Sequence, residues 1–324
     1  MRNKSIVREI GKKLEEANNI LITSHIRPDW DAVGSVLGLG LALQENGKKV
    51  QMVLADRLPE KFQYLPGSEQ IKTPDSNDYD LSIVLDCSDF LRVGDALQEE
   101  QPDVNIDHHI TNLKFARLNL VEPRSAATSM MLTECFPFWG LDISQPVATA
   151  LMSGILGDTL GFRTSNTSPK VLRLCASLME KGANLAKLYE FILIQNSFEA
   201  ANYWGMGLQK IQRNGKIVWT TLTLEDRKKA LYPGNDDADL INILSAINHY
   251  EIAIVFIEQK TGRIKVSWRA KPGWNVAKVA LKFGGGGHPA AAGAEIAGTL
   301  EEVQQQVLQM TNELLTSENY SSYN

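Results

Sequence analysis

The sequence is poor in cysteine and in long apolar runs, and both shortages restrict what the protein can be. Its three cysteines, Cys87, Cys135 and Cys175, are an odd number at wide spacings without a CxxC pair, which argues against a disulfide framework and against a zinc ribbon. The longest apolar stretches, SVLGLGLAL and IAIVFI, are too short to span a membrane. The charged N-terminal segment has no apolar core of signal-peptide length. These features predict a soluble cytoplasmic protein with no membrane partner.

An excess of positive charge is also missing. Lys and Arg total 33 against 38 for Asp and Glu, which gives a formal net charge of −5. A broad basic surface for long nucleic acids is therefore not expected, although a local basic pocket for a small phosphorylated ligand is compatible with this balance. Hydrophobic residues make up 44% of the 324 residues, enough for about two ordinary globular domains.

Short apolar runs alternate with helical patterns, which predicts an α/β fold. Strands are predicted at 20–22, 50–54, 81–85 and 104–106, with helices near 4–17, 31–47 and 146–156 and a further helix after Ser168-Pro169. This order favours a doubly wound, mostly parallel sheet in the first domain. A smaller α/β domain follows, with a hairpin that pairs 252–258 with 263–269. The predicted bounds are 1–185 for the first domain, 186–211 for a helical connector, 212–318 for the second domain and 319–324 for a disordered tail.

Acidic and imidazole side chains follow the predicted strands and one buried helix. The chain has five histidines, and four of them lie in these motifs or beside a glycine run near the C-terminus. Carboxyl ends of parallel strands meet at one edge of a sheet, where ligands bind. Helix capping would explain one such aspartate, but not four such sites. The candidate metal-binding or catalytic residues of this cluster are His25, Asp29, Asp31, Asp86, Asp107, His108, His109 and Asp158.

The chemistry of these side chains suggests the metal. Carboxylates and imidazoles without thiolates suit Mn²⁺ above all, with Mg²⁺ or Co²⁺ as alternatives. Six side chains are too many for one zinc ion, and they suit two divalent ions about 3.5–4 Å apart that share a bridging carboxylate. Such a pair activates water at neutral pH and stabilises the oxygens of a phosphoryl group. The sequence therefore predicts phosphoester hydrolysis.

The order of the motifs resembles a known family. HIRPDWDAVGS, LDCSD, DHH and GDTLGF resemble the four motifs of the DHH phosphoesterase superfamily, and GGGGHPAAAG resembles the signature of the associated C-terminal domain of its first subfamily. The resemblance covers nearly the whole chain, and the compact length is similar to that of the nanoRNase branch. One departure is Trp30, where the family usually has glycine. We expect a slightly different turn, or a tryptophan that flanks the substrate, without loss of metal binding.

The resemblance implies a role for each motif residue. One metal ion would be held by His25, Asp29 and the bridging Asp86, and the second ion by Asp31, Asp86, His108 and Asp158. Asp107 is expected to orient His108. His109 is expected to contact the scissile phosphate and to help protonate the leaving group.

The C-terminal glycine run has a physical interpretation of its own. Consecutive glycines leave backbone N–H groups free to approach an anion, while a flexible linker is the alternative. In the strand before it, Ile264, Val266 and Trp268 alternate onto a core face, which leaves Arg269 on the other face. Arg269 is a candidate clamp for the terminal phosphate of the substrate, as the resemblance also implies. The candidate substrate-binding residues are Arg269, Gly285, Gly286, Gly287 and His288.

The resemblance implies a manganese-dependent oligoribonuclease. It would hydrolyse short RNA oligonucleotides (nanoRNA) or dinucleotides to mononucleotides and act as a phosphatase on 3′-phosphoadenosine 5′-phosphate. A cyclic or linear dinucleotide phosphodiesterase, of the cyclic di-AMP or pApA type, shares every motif and stays open as the alternative. A non-catalytic nucleotide-binding module is the remote alternative. Loss of metal ligands would mark such a module, but all six ligand positions are retained. A homodimer is compatible with the sequence, which leaves the oligomeric state open.

Overall fold

The computed structural model describes residues 3–74, 78–98 and 101–319. The chain forms two compact units, the first reaching Gln195 and the second beginning at Asn196. Within the described residues, no helix is both long enough and apolar enough to cross a membrane. Of the predicted tail, 320–324 lies outside the described residues. The bounds proposed for the domains and the connector stay predictions.

The first unit contains five strands and six α-helices. The strands are β1 (Asn19–Thr23), β2 (Lys49–Met52), β3 (Leu81–Leu85), β4 (Val104–Asp107) and β5 (Leu118–Val121). The helices are α1 (Lys4–Glu16), α2 (Trp30–Glu45), α3 (Thr128–Trp139), α4 (Gln145–Asp158), α5 (Pro169–Glu180) and α6 (Leu185–Tyr189). Short 3₁₀ helices at Glu60–Phe62, Ser68–Gln70 and Phe90–Ala96 and a π-helix at Glu190–Ile194 complete this unit.

The sheet of the first unit places three strand ends side by side. Its order is β2-β1-β3-β4-β5, and all four neighbouring pairs are parallel. From β1, the connection leads to β2 on one side, whereas β3 lies on the other side of β1, so the strand order reverses between β1 and β3. In parallel sheets, the carboxyl ends of the strands at such a point form a crevice that binds ligands. The residues that follow β1, β3 and β4 are neighbours at this crevice, as the sequence predicts.

Glycines bring α4 close to α2 in the first unit. A Cβ added to Gly34 would lie 2.5 Å from the carbonyl oxygen of Ala150, and one added to Gly154 would lie 2.6 Å from Oδ1 of Asp31. Real side chains do not tolerate such distances, so glycine at both positions permits the close approach of the two helices. This approach carries the C-terminal end of α4, with Asp158, to the N-terminal end of α2.

The second unit is a mixed sheet with helices on both of its faces. The strands are β6 (Gln212–Asn214), β7 (Ile217–Leu222), β8 (Ile252–Glu258), β9 (Arg263–Ala270), β10 (Gly286–His288) and β11 (Ala291–Ala297). The helices are α7 (Phe198–Leu208), α8 (Leu224–Ala230), α9 (Leu240–Ser245), α10 (Ala277–Lys282) and α11 (Leu300–Asn319). The order is β10-β11-β9-β8-β7-β6, with β7 and β8 parallel and the other pairs antiparallel. The predicted hairpin of β8 with β9 and the predicted α/β fold class are confirmed.

The glycine run near the C-terminus ends in a short strand. Gly286–His288 pairs with β11 in an antiparallel ladder. A Cβ on Gly285 would lie 2.1 Å from the carbonyl oxygen of Gly293, and Gly287 has a φ of 136°, which is available to glycine and not to ordinary side chains. The glycines therefore allow β10 to lie close against β11. The alternative of a flexible linker is wrong.

Candidate metal centre

The six predicted ligands meet at the carboxyl edge of the first sheet. His25 lies two residues beyond β1, Asp86 directly follows β3, and His108 directly follows β4. The other three come from helix termini, because Asp29 is the N-cap of α2, Asp31 lies in its first turn and Asp158 is the last residue of α4. Four of the six are buried, Asp158 is partly buried and Asp29 is exposed.

His25, Asp29 and Asp86 form the first of two overlapping groups. Nε2 of His25 lies 3.8 Å from Oδ2 of Asp29 and 3.7 Å from Oδ2 of Asp86. The other oxygen of Asp29, Oδ1, accepts hydrogen bonds from the backbone N–H groups of Asp31 and Ala32, both at 3.0 Å. Asp29 thus caps the helix with one oxygen and faces the centre with the other, so the capping and ligand interpretations are compatible.

The second group surrounds His108. Its Nε2 lies 2.9 Å from Oδ2 of Asp158, 3.5 Å from Oδ1 of Asp86 and 3.8 Å from Oδ2 of Asp31. Asp86 therefore offers Oδ2 to the first group and Oδ1 to the second. One carboxylate between two sets of oxygen and nitrogen donors is the arrangement that two bridged divalent ions require. The residues present fit such a pair of ions.

Backbone carbonyl groups orient both imidazole rings. Nδ1 of His25 lies 2.8 Å from the carbonyl oxygen of Ile26, and Nδ1 of His108 lies 3.2 Å from that of Ser125. Because a carbonyl oxygen only accepts hydrogen bonds, Nδ1 carries the proton in each ring, and Nε2 of the neutral ring is the atom that can bind a metal ion. The predicted partner of His108 is thus wrong, since Ser125 rather than Asp107 makes this contact.

Asp107 instead contacts His109. Its Oδ1 lies 2.7 Å from Nδ1 of His109, and its Oδ2 accepts a hydrogen bond of 2.6 Å from Nδ2 of Asn112. Side chains two residues apart on an extended chain lie on the same side, whereas adjacent side chains point to opposite sides. Asp107 therefore shares a side with His109 and not with His108.

The N-terminus of α3 supplies contacts that the sequence analysis missed. The backbone N–H groups of Thr128 and Ser129 donate to Oδ2 and Oδ1 of Asp31, and Oγ1 of Thr128 donates to Oδ1 of Asp86 at 2.9 Å. The N-cap position of α3 is Ala127, which has no polar side chain, so Asp31 satisfies these N–H groups from 97 residues earlier in the chain. The sequence offers one sign of these contacts, namely that α3 begins without a polar capping residue. That sign does not identify Asp31 as the acceptor.

The charges of the centre are strongly interdependent. Burial, together with the nearby carboxylates of Asp86 and Asp158, raises the pKa of Asp31 well above its usual range. Burial opposes ionisation of Asp86 as well, but contacts with His25 and the nearby His109 and His108 overcome it and lower the pKa of Asp86. Burial favours the neutral form of His108, yet the carboxylates around it raise its pKa well above 6.5. Without metal the centre therefore retains protons that divalent cations would displace.

These pKa shifts predict a pH-dependent stability for the metal-free protein. The pKa values of His25 and His108 are raised in the folded state, so their contribution to stability is complete below their unfolded value of 6.5 and is lost as the pH rises through the folded values. In EDTA we expect a lower Tm at pH 8.5 than at pH 6.5. Added Mn²⁺ should raise the Tm more at pH 8.5, because fewer protons compete for the ligands.

Scanning calorimetry of the wild type and of His108→Gln, each with EDTA and with Mn²⁺, checks this expectation. The variant should show a weaker dependence of Tm on pH in EDTA, since one of the responsible imidazoles is removed. A metal-free wild type with the same Tm at both pH values would contradict the proposed charge distribution.

Trp30 adopts an ordinary helical backbone. It is the first residue of α2, and its φ is not among the positive values of the described residues. The backbone cost expected for replacing glycine therefore does not arise. The indole ring lies 4.4 Å from the ring of Phe62, and a Cβ on Gly157 would lie 2.3 Å from Cβ of Trp30. Trp30 thus packs against the end of α4, next to Asp158.

The predicted substrate-binding residues lie together in the second unit. Arg269 and His288 both pair with Ala291, on opposite sides of β11, so their side chains share one face of the sheet. As predicted, Ile264, Val266 and Trp268 are buried on the opposite face. Burial raises the pKa of Asp237 to about 6, while the positive charges of Lys265 and Arg269 oppose that rise. Whether this face binds substrate stays a prediction.

Comparisons with known proteins agree with this arrangement along almost the whole chain. The model of the DHH family, N-terminal domain, matches residues 19–155, and that of the DHHA1 domain matches residues 231–317. The chain is 33% identical to the bifunctional oligoribonuclease and PAP phosphatase NrnA of Thermus thermophilus over 97% of this chain and 95% of the relative. It is 28% identical to the protein of the same name from Mycoplasma pneumoniae, over 95% of this chain and 98% of the relative.

Among solved structures, the chain is similar to an exopolyphosphatase-related protein from Bacteroides fragilis. The TM-score is 0.87 at 26% identity, over 97% of this chain and 98% of the other. The identity to full-length relatives, the two matched domain models and the cluster of aspartates and histidines lead to one conclusion. The chain belongs to the DHH family.

Proposed function

We propose that this protein is a phosphoesterase that hydrolyses short RNA oligonucleotides to mononucleotides and removes a phosphate from 3′-phosphoadenosine 5′-phosphate. The observation that carries the proposal is the 33% identity, over 97% of the chain, to a relative named for these two activities. The buried carboxylate and imidazole cluster supports it, because phosphoester hydrolysis needs groups that hold divalent ions beside the scissile phosphate.

The metal-binding roles follow from the two groups around Asp86. His25, Asp29 and Asp86 would hold one ion, and Asp31, Asp86, His108 and Asp158 would hold the other. Mn²⁺ suits this set of oxygen and imidazole donors best. When bound, the two ions supply activation of water and stabilisation of charge on the phosphoryl oxygens. Ile26 and Ser125 keep the Nε2 atoms of the two imidazoles available as ligands.

His109 is the proposed proton donor to the leaving group. Its Nδ1 donates to Asp107, which is buried and also held by Asn112. This contact fixes the orientation of the ring, and Nε2 is the atom from which a proton would pass to the departing oxygen. The imidazole of His109 is partly accessible, with 14% of the side chain exposed, as a group that meets substrate must be.

The second unit is proposed to bind the part of the substrate that is remote from the cleaved bond. Arg269 and His288 lie on one face of the sheet, on either side of Ala291, and a guanidinium beside an imidazole suits a phosphate group. The mildly acidic charge of the whole chain fits short substrates, since long strands need an extended basic track.

Product analysis tests the proposed function. Purified protein with Mn²⁺ is incubated with a 5′-labelled RNA dinucleotide, a longer RNA, cyclic di-AMP and 3′-phosphoadenosine 5′-phosphate. We expect the RNA dinucleotide and the phosphoadenosine phosphate to be hydrolysed faster than the other two. Preferred cleavage of cyclic di-AMP would support the cyclic dinucleotide phosphodiesterase instead. Binding of nucleotides without turnover would support a non-catalytic module.

Arg269→Ala is expected to separate binding of the remote group from cleavage. Loss of one charge-assisted contact should reduce transition-state stabilisation, measured from kcat/KM for the RNA dinucleotide, by about 1–3 kcal/mol. Hydrolysis of bis(p-nitrophenyl) phosphate, which has no remote phosphate, should change little. Lys260→Ala, at the exposed turn between β8 and β9, is the matched control. Equal losses on both substrates would indicate a structural role for Arg269 and exclude the clamp.

A further inference from the structure

Arg92 lies beside the metal centre, on the short helix Phe90–Ala96 that follows β3 and Asp86. Its carbonyl oxygen accepts a hydrogen bond of 2.6 Å from the backbone N–H of Ile26, the residue after His25. Two residues further on, a Cβ at Gly94 would lie 2.8 Å from Cγ2 of Ile26, so the helix lies directly against the loop that carries His25. The backbone contacts therefore fix Arg92 next to the first metal group.

The guanidinium of Arg92 is a cation without a protein counter-ion in the part of the chain that the structure describes. The side chain is partly buried, and it makes no hydrogen bond or ion pair with any described residue. A partly buried charge that lacks a partner is costly unless a ligand supplies one.

The charge balance of the proposed reaction calls for such a cation. Four ligand carboxylates, those of Asp29, Asp31, Asp86 and Asp158, formally neutralise two divalent ions. A phosphodiester carries one negative charge, and attack by a water molecule that gives up one proton adds a second to the phosphoryl oxygens in the transition state. The imidazole of His109 is engaged by the carboxylate of Asp107. Arg92, whose backbone lies against the loop that carries His25, can supply this positive charge.

We propose that Arg92 is a further catalytic residue, whose guanidinium binds a non-bridging oxygen of the phosphate that is cleaved. This inference rests on the proposed phosphoesterase function and adds a residue to it. The fixed backbone keeps the guanidinium within reach of the centre, where it can stabilise charge that develops in the transition state. Because the scissile phosphate is common to all substrates, Arg92 should act on each of them, unlike Arg269.

The test compares Arg92→Ala and Arg92→Lys with Arg173→Ala, a control on the exposed side of α5. The substitutions leave the Arg92 carbonyl in place, so its contact with Ile26 can persist. We expect Arg92→Ala to lower kcat/KM by about 100-fold for both the RNA dinucleotide and bis(p-nitrophenyl) phosphate. Arg92→Lys should recover part of this loss, since a lysine retains the charge but not the planar fork.

Calorimetry supplies readouts that do not depend on turnover. Titrated Mn²⁺ should bind Arg92→Ala and the wild type with equal affinity. Titrated AMP, a reaction product, should bind the manganese-loaded Arg92→Ala about 10-fold more weakly, because one contact to its phosphate is lost. Arg173→Ala should resemble the wild type in both titrations.

Two results would overturn the inference. One is an Arg92→Ala variant that hydrolyses the chromogenic ester as fast as Arg173→Ala. The other is a loss of Mn²⁺ affinity as large as the loss of activity, which would show that the side chain supports the loop and not the phosphate. A wild type that cleaves the ester but no RNA would refute the proposed substrate, while the ester rates would still decide the role of Arg92.

Discussion

Replacing Asp86 by asparagine is expected to lower turnover at least about 1,000-fold while the protein stays folded. Asp86 presents one oxygen to each of the two ligand groups, at 3.7 Å from Nε2 of His25 and 3.5 Å from Nε2 of His108. An amide has one acceptor oxygen and no charge, so it cannot bridge two cations. Loss of the bridge removes several kcal/mol of transition-state stabilisation, and each 1.36 kcal/mol is a factor of ten in rate.

Asparagine is the better substitution here because of the backbone. Asp86 has a φ of 53°, in the left-handed region that asparagine and aspartate tolerate better than alanine. Oγ1 of Thr128 can also still donate to the remaining amide oxygen. Asp86→Ala would combine the loss of the ligand with backbone strain, which would obscure the interpretation.

Initial rates with Mn²⁺, together with the number of manganese ions bound per chain, check this expectation. The variant should bind fewer than two ions and show a circular dichroism spectrum like that of the wild type. Asp142→Asn, at an exposed aspartate outside the centre, is the control and should keep full activity. Appreciable manganese-dependent hydrolysis by Asp86→Asn would show that the two-ion assignment is wrong.

Replacing Asp31 by alanine should affect both activity and stability, because this side chain has two roles. As a proposed ligand, its loss should reduce activity as severely as the loss of Asp86. As the acceptor for the N–H groups of Thr128 and Ser129, its loss would leave two buried donors without their partner. In the presence of Mn²⁺ we expect the free energy of unfolding to fall by about 2–4 kcal/mol.

Urea unfolding in Mn²⁺ measures this loss, and Asp29→Ala is the matched control. Asp29 is also a proposed ligand, but it caps α2 at a more exposed position. Apart from any loss of metal binding, its removal should therefore lower the free energy of unfolding by only about 1 kcal/mol. Activity should be severely reduced in both variants. If Asp31→Ala were no less stable than Asp29→Ala, the contact between α2 and α3 would not stabilise the fold as the geometry indicates.

Local patterns in the sequence are enough to predict the fold class and the places along the chain where the candidate ligands lie. Short apolar runs end in aspartate or histidine at β3 and β4, and parallel strands bring such ends to one edge by the geometry of the sheet. Period-two alternation likewise placed Trp268 in the core of the second unit and Arg269 on the other face. Both inferences need only the local periodicity of the chain, which the sequence displays directly.

The partner of each of these side chains depends on contacts between distant parts of the chain. Asp31 caps α3, which begins 97 residues later, and the orienting partner of His108 is the carbonyl of Ser125 rather than the adjacent Asp107. The glycine run became a strand because β11 lies beside it. Backbone donors and acceptors are the same for every residue type, so a sequence does not reveal which distant carbonyl or N–H group a folded chain brings to a side chain.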